Sequence, residues 1–314
     1  MKSATDADTV LVVASAPSYA HGVIDPIEEI AATARGKGIR CHVDACIGGW
    51  VPPHADVAPF DFAVPGVTSI SVDLHKYAYC PKGTSVLLHA NTNLRRTQYF
   101  ASAAWPGYTM LNSTTQSTRS GGPLATAWTV LRHIGDDGYR EPAKRTLKAV
   151  RTIRAGIEQI DGLRVLGDPD ATLLAVTADR DDFDVFTVAD EMKARNWYVQ
   201  PQFTHGPSLA NLHLTITAAN AGGEAELLAD LEDSVQAAIK QGPVPIAPEV
   251  VAAIRALDPD SLTPQEFAGL PAAAGLHGDS VLPARMAPVN ALLAAASPRL
   301  RERLLVEFLG VLYS

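Results

Sequence analysis

With only three cysteines in 314 residues, and no CxxC pair among Cys41, Cys46 and Cys80, the chain has no disulfide framework and suits a reducing compartment. Aromatic residues are scarce at 6%, and the 26 basic residues are outnumbered by 34 acidic ones, for a net charge of -8. A chain of that sign offers no basic face to a phosphate backbone, so no nucleic-acid partner is expected. Long apolar runs are missing too. Val10–Ala14 and Ala291–Ala296 fall far short of the ~20 residues a membrane helix needs, so no transmembrane segment is expected. The N-terminal MKSATDADTV is polar and lacks a signal-peptide core, which predicts a cytoplasmic protein.

What is present is ordinary for a globular chain of about two domains: 47% hydrophobic and 19% charged residues. Val10–Ala14 reads as a buried strand. The helix that follows has Asp25 as a cap, Pro26 in the first turn and Glu28 completing a D-x-x-E box. Ile27, Ile30, Ala31 and Ala34 give it one apolar stripe, Gly36 and Gly38 end it, and Ile39–Ala45 closes a βαβ unit. Further strands are predicted at Asp61–Val64, Thr68–Val72 and Thr84–Leu88, with helices over Leu124–Ile134 and Tyr139–Ile160. Beyond these the pattern becomes α+β: strands Leu163–Leu166, Thr172–Thr177, Trp197–Gln200 and Asn211–Thr217, and helices Phe186–Arg195 and Glu224–Lys240. After the Pro-rich Gly242–Pro248, amphipathic helices are predicted around Pro248–Leu257, Pro288–Ala296 and Arg299–Leu312.

Two stretches carry chemistry. In Ser69-Ile-Ser-Val-Asp-Leu-His75-Lys76-Tyr-Ala-Tyr-Cys-Pro-Lys82-Gly83 a lysine follows a strand and precedes a glycine-bearing turn. In His42-Val-Asp44-Ala-Cys-Ile-Gly-Gly49 an acid ends its own strand. A buried lysine or aspartate is costly alone, and the pair makes sense if a cofactor satisfies both. Pyridoxal 5'-phosphate needs an amine to bind its aldehyde and a carboxylate to keep its pyridine nitrogen protonated. His42, Asp44 and Cys46 alternate along one strand in a manner that a metal could use, but no further ligand has convincing spacing and no metal is expected.

These motifs, with SAPSYAHGVIDPIEEIA upstream and Gln98-Tyr99-Phe100, Trp105-Pro106-Gly107 and Ser117-Thr118-Arg119-Ser120-Gly121-Gly122 downstream, resemble the pyridoxal-phosphate-dependent decarboxylase family. The branch most similar is that of the sphingosine-1-phosphate lyases, over roughly Val10 to Gln236. The resemblance implies the type I (aspartate aminotransferase-like) fold: an α/β large domain with a mostly parallel sheet, plus an α+β C-terminal small domain. The domain boundaries expected from it are 1–135, 136–242 and a helical extension over 243–314. It implies Lys76 as the catalytic Schiff-base lysine and Asp44 as the partner of the ring nitrogen. It also implies cofactor contacts from His75, near the phosphate, and His21, near the ring, with Lys82 and Tyr77 as candidates for a cofactor or substrate phosphate. Ser117 and Gly121 fall in a loop that completes the phosphate site, often across a homodimer interface. There the family's G-S-R-P-G-G is S-T-R-S-G-G in this chain.

The implied reaction is carbon–carbon cleavage of a phosphorylated long-chain amino alcohol, a lipid-phosphate amine. The alternative is decarboxylation of a small-molecule amino acid. The Gly-rich helix N-terminus and ring-stacking aromatic of the family are not found ahead of Val10. The chain therefore reads as the C-terminal part, lacking the N-terminal half of the large domain. A raw sheet edge and exposed apolar surface are expected from that, as is weak cofactor binding by the chain alone. A complementing N-terminal half or a non-catalytic fragment are the remaining readings.

Overall fold

The computed structural model describes residues 4–115, 118–263, 265–267, 269 and 283–312. They form two units, Met1–Arg154 with Gly167–Leu174 and Thr215–Gly222, and Ala155–Leu166 with Ala175–Leu214 and Gly223–Ser314.

In the first unit, β1 (Leu11–Ser15), β2 (Arg40–Asp44), β3 (Ser69–Asp73) and β4 (Ser85–His89) make one sheet in that order. The first three strands are parallel and β4 runs antiparallel to β3. Helix α1 (Ile27–Lys37) crosses from β1 to β2 and buries the expected stripe, Ile27, Ile30, Ala31 and Ala34. It packs on Val12, Ala14, Cys41, Val43 and Ile70, one face of the sheet. Gly38, at φ 69°, ends the helix in the left-handed conformation that costs glycine nothing.

Its start differs from expectation. No side chain caps α1, and Asp25 Oδ2 instead accepts from Ser15 N at 2.7 Å, tying the helix entry to the end of β1. The predicted strand Asp61–Val64 is a turn, because Asp61 accepts the Ala63 N–H with its side chain and the Val64 N–H with its carbonyl.

The opposite face of the sheet carries Leu11, Val13, His42, Asp44, Ser69, Ser71, Asp73 and Leu87, all half-buried or exposed. A parallel sheet ordinarily has both faces covered. The strand expected to be buried is so on one face only: Val12 and Ala14 are buried, whereas Val10 is 77% exposed and Leu11 and Val13 on this edge strand are exposed with it, the raw edge also expected. The unit continues through α2 (Thr92–Arg96), capped by the Asn91 side chain, a hairpin of β5 (Phe100–Ser102) and β6 (Met110–Asn112), and α3 (Gly122–Ile157). The two helices predicted at Leu124–Ile134 and Tyr139–Ile160 are joined into α3 across a kink at Gly135, where φ is 64°.

The second unit has β7 (Leu163–Val165), β8 (Leu173–Ala178), β9 (Gln200–Gln202) and β10 (Asn211–Thr215) in the order β7-β8-β10-β9, with α4 (Val185–Ala194) and α5 (Glu224–Gln241). The strand expected at Trp197–Gln200 starts only at Gln200. Asn196 turns the chain at φ 67° and Trp197 is drawn aside by its Nε1–H donating to Asp230 at 2.7 Å. Three helices follow: α6 (Pro248–Ala256), α7 (Ala287–Ala295) and α8 (Pro298–Leu312). Asp190 of α4 anchors the second, since its two carboxylate oxygens accept from Met286 N and Ala287 N at 2.8 Å each.

Candidate active site

Because β1, β2 and β3 are parallel, their C-terminal ends leave the sheet at one edge, where ligands of open α/β sheets bind. Asp44 is the last residue of β2 and pairs with Ser71, and Asp73 is the last residue of β3. Period-2 alternation puts Asp44, Ser71 and Asp73 on the uncovered face. The chain then turns sharply. Leu74 N and His75 N both donate to Thr84 O, Tyr79 N to Lys76 O and Cys80 N to Leu74 O. Tyr79 sits at φ 57°, a strained conformation for a non-glycine that costs roughly 1–3 kcal/mol. This cinched turn sets Lys76 at its tip.

The Lys76 ammonium lies 2.8 Å from Asp73 Oδ2, with 34% of the lysine side chain exposed. Asp73 also accepts from the Ser85 hydroxyl, and His75 Nε2 stands 3.7 Å away. His75 Nδ1 is 2.8 Å from the Thr84 carbonyl, which can only accept, so Nδ1 carries the hydrogen. Burial pushes the Asp73 carboxyl up, but hydrogen bonds from Lys76 and Ser85 and the charges of Lys76 and His75 outweigh it and hold it below the usual range. Asp44 behaves alike. Burial pushes it up, and hydrogen bonds from Cys46 and Ser71 with the nearby charge of Lys76 bring it below the usual range. Lys76 and Asp44 thus feel each other across the sheet edge.

A depressed carboxylate contributes stability that is present above its unfolded value and is lost as pH falls through the folded one. Asp73→Asn is therefore expected to lower stability at neutral pH and to flatten the loss of stability below about pH 4. Urea unfolding midpoints at several pH values check this, and parallel profiles for the two proteins would refute it.

The other expected residues are placed unequally. His21, half-buried, lies in the loop after β1, where Ser18 N bonds Val23 O and Gly22 N bonds Ser18 O, at the same edge as Asp44 and Asp73. Tyr77 is not available for a phosphate contact in the expected way. It is 5% exposed, its hydroxyl donates to the Ile216 carbonyl at 2.8 Å, and burial pushes its ionisation up to about 12. Its work is packing, against Ile47, Val51 and Leu147. Tyr77→Phe, which leaves a buried carbonyl unpaired, should cost about 1 kcal/mol in chemical unfolding with no change in cofactor binding.

Lys82 is exposed on the turn before β4. Gly121 is exposed immediately ahead of α3, its carbonyl accepting from Ala125 N. Ser117 lies outside the described residues. Three contributors were missed in the sequence: Ser71, Asp73 and Ser85. The S-x-S-x-D alternation of β3, matching H-x-D on β2, was the available signal. Among the described residues no group of three or more His, Cys, Asp or Glu is placed to hold a metal ion. His42 is spent on Ser69 and Ser71.

This donor set fits pyridoxal phosphate. An ionised, acceptor-only carboxylate stands within electrostatic reach of a partly exposed amine at the C-terminal edge of a parallel sheet. Comparison with known proteins agrees. The family described as "Pyridoxal-dependent decarboxylase conserved domain" matches residues 2–177, and "Pyridoxal-dependent enzyme, C-terminal putative HTH domain" matches residues 248–311. A sphingosine-1-phosphate lyase of Dictyostelium discoideum is 42% identical over 241 residues, 75% of this chain and 44% of that protein. The solved sphingosine-1-phosphate lyase of Burkholderia pseudomallei superposes with a TM-score of 0.71 at 38% identity, over 76% of this chain and 55% of the other. The glutamate decarboxylase of Lactobacillus brevis shares the fold at a TM-score of 0.64 and 17% identity, over 75% of this chain and 56% of the other. The chain thus spans less than half the length of the curated relative and about half of each solved one. With the domain matched over more than half its residues, and with the α/β fold of type I pyridoxal-phosphate enzymes, the chain belongs to the pyridoxal-dependent decarboxylase family.

Proposed function

We propose that this chain carries the reactive edge of a pyridoxal-phosphate-dependent carbon–carbon lyase that cleaves a phosphorylated long-chain amino alcohol. One observation carries the reading: Lys76, Asp73 and Asp44 are drawn together at the edge where β2 and β3 end. When bound, the cofactor supplies an electron sink for the carbanion left as a bond to the substrate's α-carbon breaks.

The chain's own residues do the rest. Lys76 Nζ would be the attachment point for the aldehyde carbon. An amine attacks only when neutral, so Nζ, held in place by its ion pair with Asp73 Oδ2 at 2.8 Å, would have to leave that pair and give its proton to water before it bonds. Asp44 would keep a proton on the pyridine nitrogen, and its ionisation below the usual carboxylate range suits a permanent acceptor. His75, with its Nδ1–H fixed on Thr84 O, presents Nε2 beside Asp73, where it can support charge near the phosphate. The preference for a sphingoid phosphate over an amino acid rests on the relatives at 42% and 38% identity. The decarboxylase reading rests on the name of the matching family domain.

The test is substrate competition. A sphingoid phosphate should protect Lys76 from reductive trapping with pyridoxal phosphate at concentrations where glutamate does not. The reverse order would favour decarboxylation, and protection by neither would refute a substrate site here.

Two further points belong to the same reading. Tyr108, Leu111, Leu124 and Trp128 are strongly exposed in the hairpin and at the start of α3, apolar surface of the kind that pairs protomers. A homodimer built on this surface is the partner proposed, and no helix among the described residues is long and apolar enough to cross a membrane. In the segment matched as a putative HTH domain, the arginines of α8 are taken up locally: Arg299 by Asp260, Arg303 by Glu307, and Arg301 over the Phe203 ring. The segment also holds more acidic than basic residues, so its role is structural, on α4, without nucleic acid.

A further inference from the structure

A line of hydrogen bonds runs along the uncovered sheet face to Asp44, and the lyase chemistry above makes no use of it. His42 Nδ1 lies 2.8 Å from Ser69 Oγ, and His42 Nε2 3.1 Å from Ser71 Oγ. Ser71 Oγ is 3.4 Å from Asp44 Oδ1 and accepts from Cys46 Sγ at 3.4 Å. Parallel register creates the alignment, pairing His42 with Ser69 and Asp44 with Ser71, so that alternate residues of β2 and β3 share one face.

Counting donors sets the direction. An ionised carboxylate only accepts, so the single Ser71 hydroxyl hydrogen goes to Asp44. Ser71 Oγ then has lone pairs to offer, and His42 Nε2 must carry the hydrogen between them. A neutral imidazole protonated there has a lone pair on Nδ1, which the Ser69 hydroxyl fills. Every donor points toward Asp44. The neighbouring charges agree with a neutral ring. Burial lowers the His42 pKa, the charge of Asp44 raises it and that of His89 on β4 lowers it again, leaving it below its ordinary value. Around the carboxylate stand Lys76, the Cys46 N–H and Ser71, and the charge of Asp73 reaches the Cys46 thiol.

We propose that His42 and Ser71 are positioning residues, a one-way relay that holds Asp44 as a proton acceptor aimed at the ring nitrogen of the bound cofactor. The inference rests on Asp44 being the ring-nitrogen partner. An unsupported Asp44 would share its acceptor capacity with water and rotate. The relay removes both freedoms, through residues that touch neither cofactor nor substrate.

The relay can be read in the cofactor-free chain. Nitrogen-15 NMR of the histidines should show His42 as the Nε2–H tautomer. Carbon-13 NMR should show the Asp44 carboxyl titrating at higher pH in Ser71→Ala and in His42→Ala, while Ser71→Thr and His42→Gln, which keep a donor, stay near the unaltered protein. Pyridoxal 5'-phosphate should bind roughly ten-fold more weakly to Ser71→Ala, the value of one hydrogen bond to a charged group. An Nδ1–H tautomer, or an Asp44 titration indifferent to both alanine variants, overturns the relay. The histidine pair keeps the test alive should Ser71→Ala fold poorly. If Asp44→Ala weakens cofactor binding but Ser71→Ala and His42→Ala do not, the relay alone fails. If Asp44→Ala binds the cofactor as well as the unaltered chain, the ring-nitrogen reading fails and takes the relay with it.

Discussion

In Lys76→Ala, borohydride reduction in the presence of saturating pyridoxal 5'-phosphate should leave the peptide spanning residues 69–82 with no more pyridoxyl than Lys82 takes up at random, whereas the unaltered chain should carry a further group, on Lys76. Peptide mass spectrometry separates Lys76 from Lys82, which is exposed on the turn before β4 and serves as the internal control for random labelling. The geometry sets the expectation. Lys76 is held by Asp73 at 2.8 Å, at the end of a turn closed by backbone hydrogen bonds, so its amine is presented in one place and not spread over many. Turnover should fall by at least about 10⁴-fold, as for other enzymes that lose the group bonding covalently to the reacting system. Equal labelling at residues 69–82 in both proteins would end the lyase reading.

The second large effect is expected at Asp44. Asp44→Ala removes a carboxylate that hydrogen bonds from Cys46 and Ser71 and the charge of Lys76 hold ionised against the cost of burial. A hydrogen bond to a charged group contributes roughly 1.5–3 kcal/mol, so pyridoxal phosphate should bind some ten- to a hundred-fold more weakly. Its absorbance should also become sensitive to pH near neutrality, because nothing would keep the ring nitrogen protonated. The sign for the unaltered chain is the opposite. With a carboxyl value below the usual range, Asp44 is charged throughout neutral and mildly acidic solution, and cofactor binding should hold until pH drops below about 4. Fluorescence titration of the cofactor across that range checks both expectations. A binding constant unchanged in Asp44→Ala would exclude this carboxylate from the site.

The asymmetry of the sheet bears on both experiments. One face is sealed by α1, and the other presents Leu11 and Val13 beside the polar row of β2 and β3. The chain spans 44% of the length of its Dictyostelium relative, and the polar row of β2 and β3 lies on the open face. The trapping experiment reads the covalent bond and does not depend on full turnover, which is why it comes first.

The local elements were legible in the residues themselves. The stripe Ile27, Ile30, Ala31 and Ala34 and the stop at Gly38 define α1, and β1 to β4 lie within a residue of their predicted positions, because period and glycine act over a few neighbours. Lys76 and the strand-end Asp44 drew notice only as a pair, joined to the motifs that resemble the family, and their roles are those proposed above. What only the tertiary structure decided involves partners distant along the chain. Asp25 could cap its helix or tie down Ser15, and the end of β1 took it. Tyr77 looked free for a phosphate until Ile216, 139 residues away, claimed its hydroxyl. The pairing of Asp44 with Ser71 needs the register of β2 on β3. A hydrogen bond is made across whatever distance the fold closes, and sequence spacing does not record that distance.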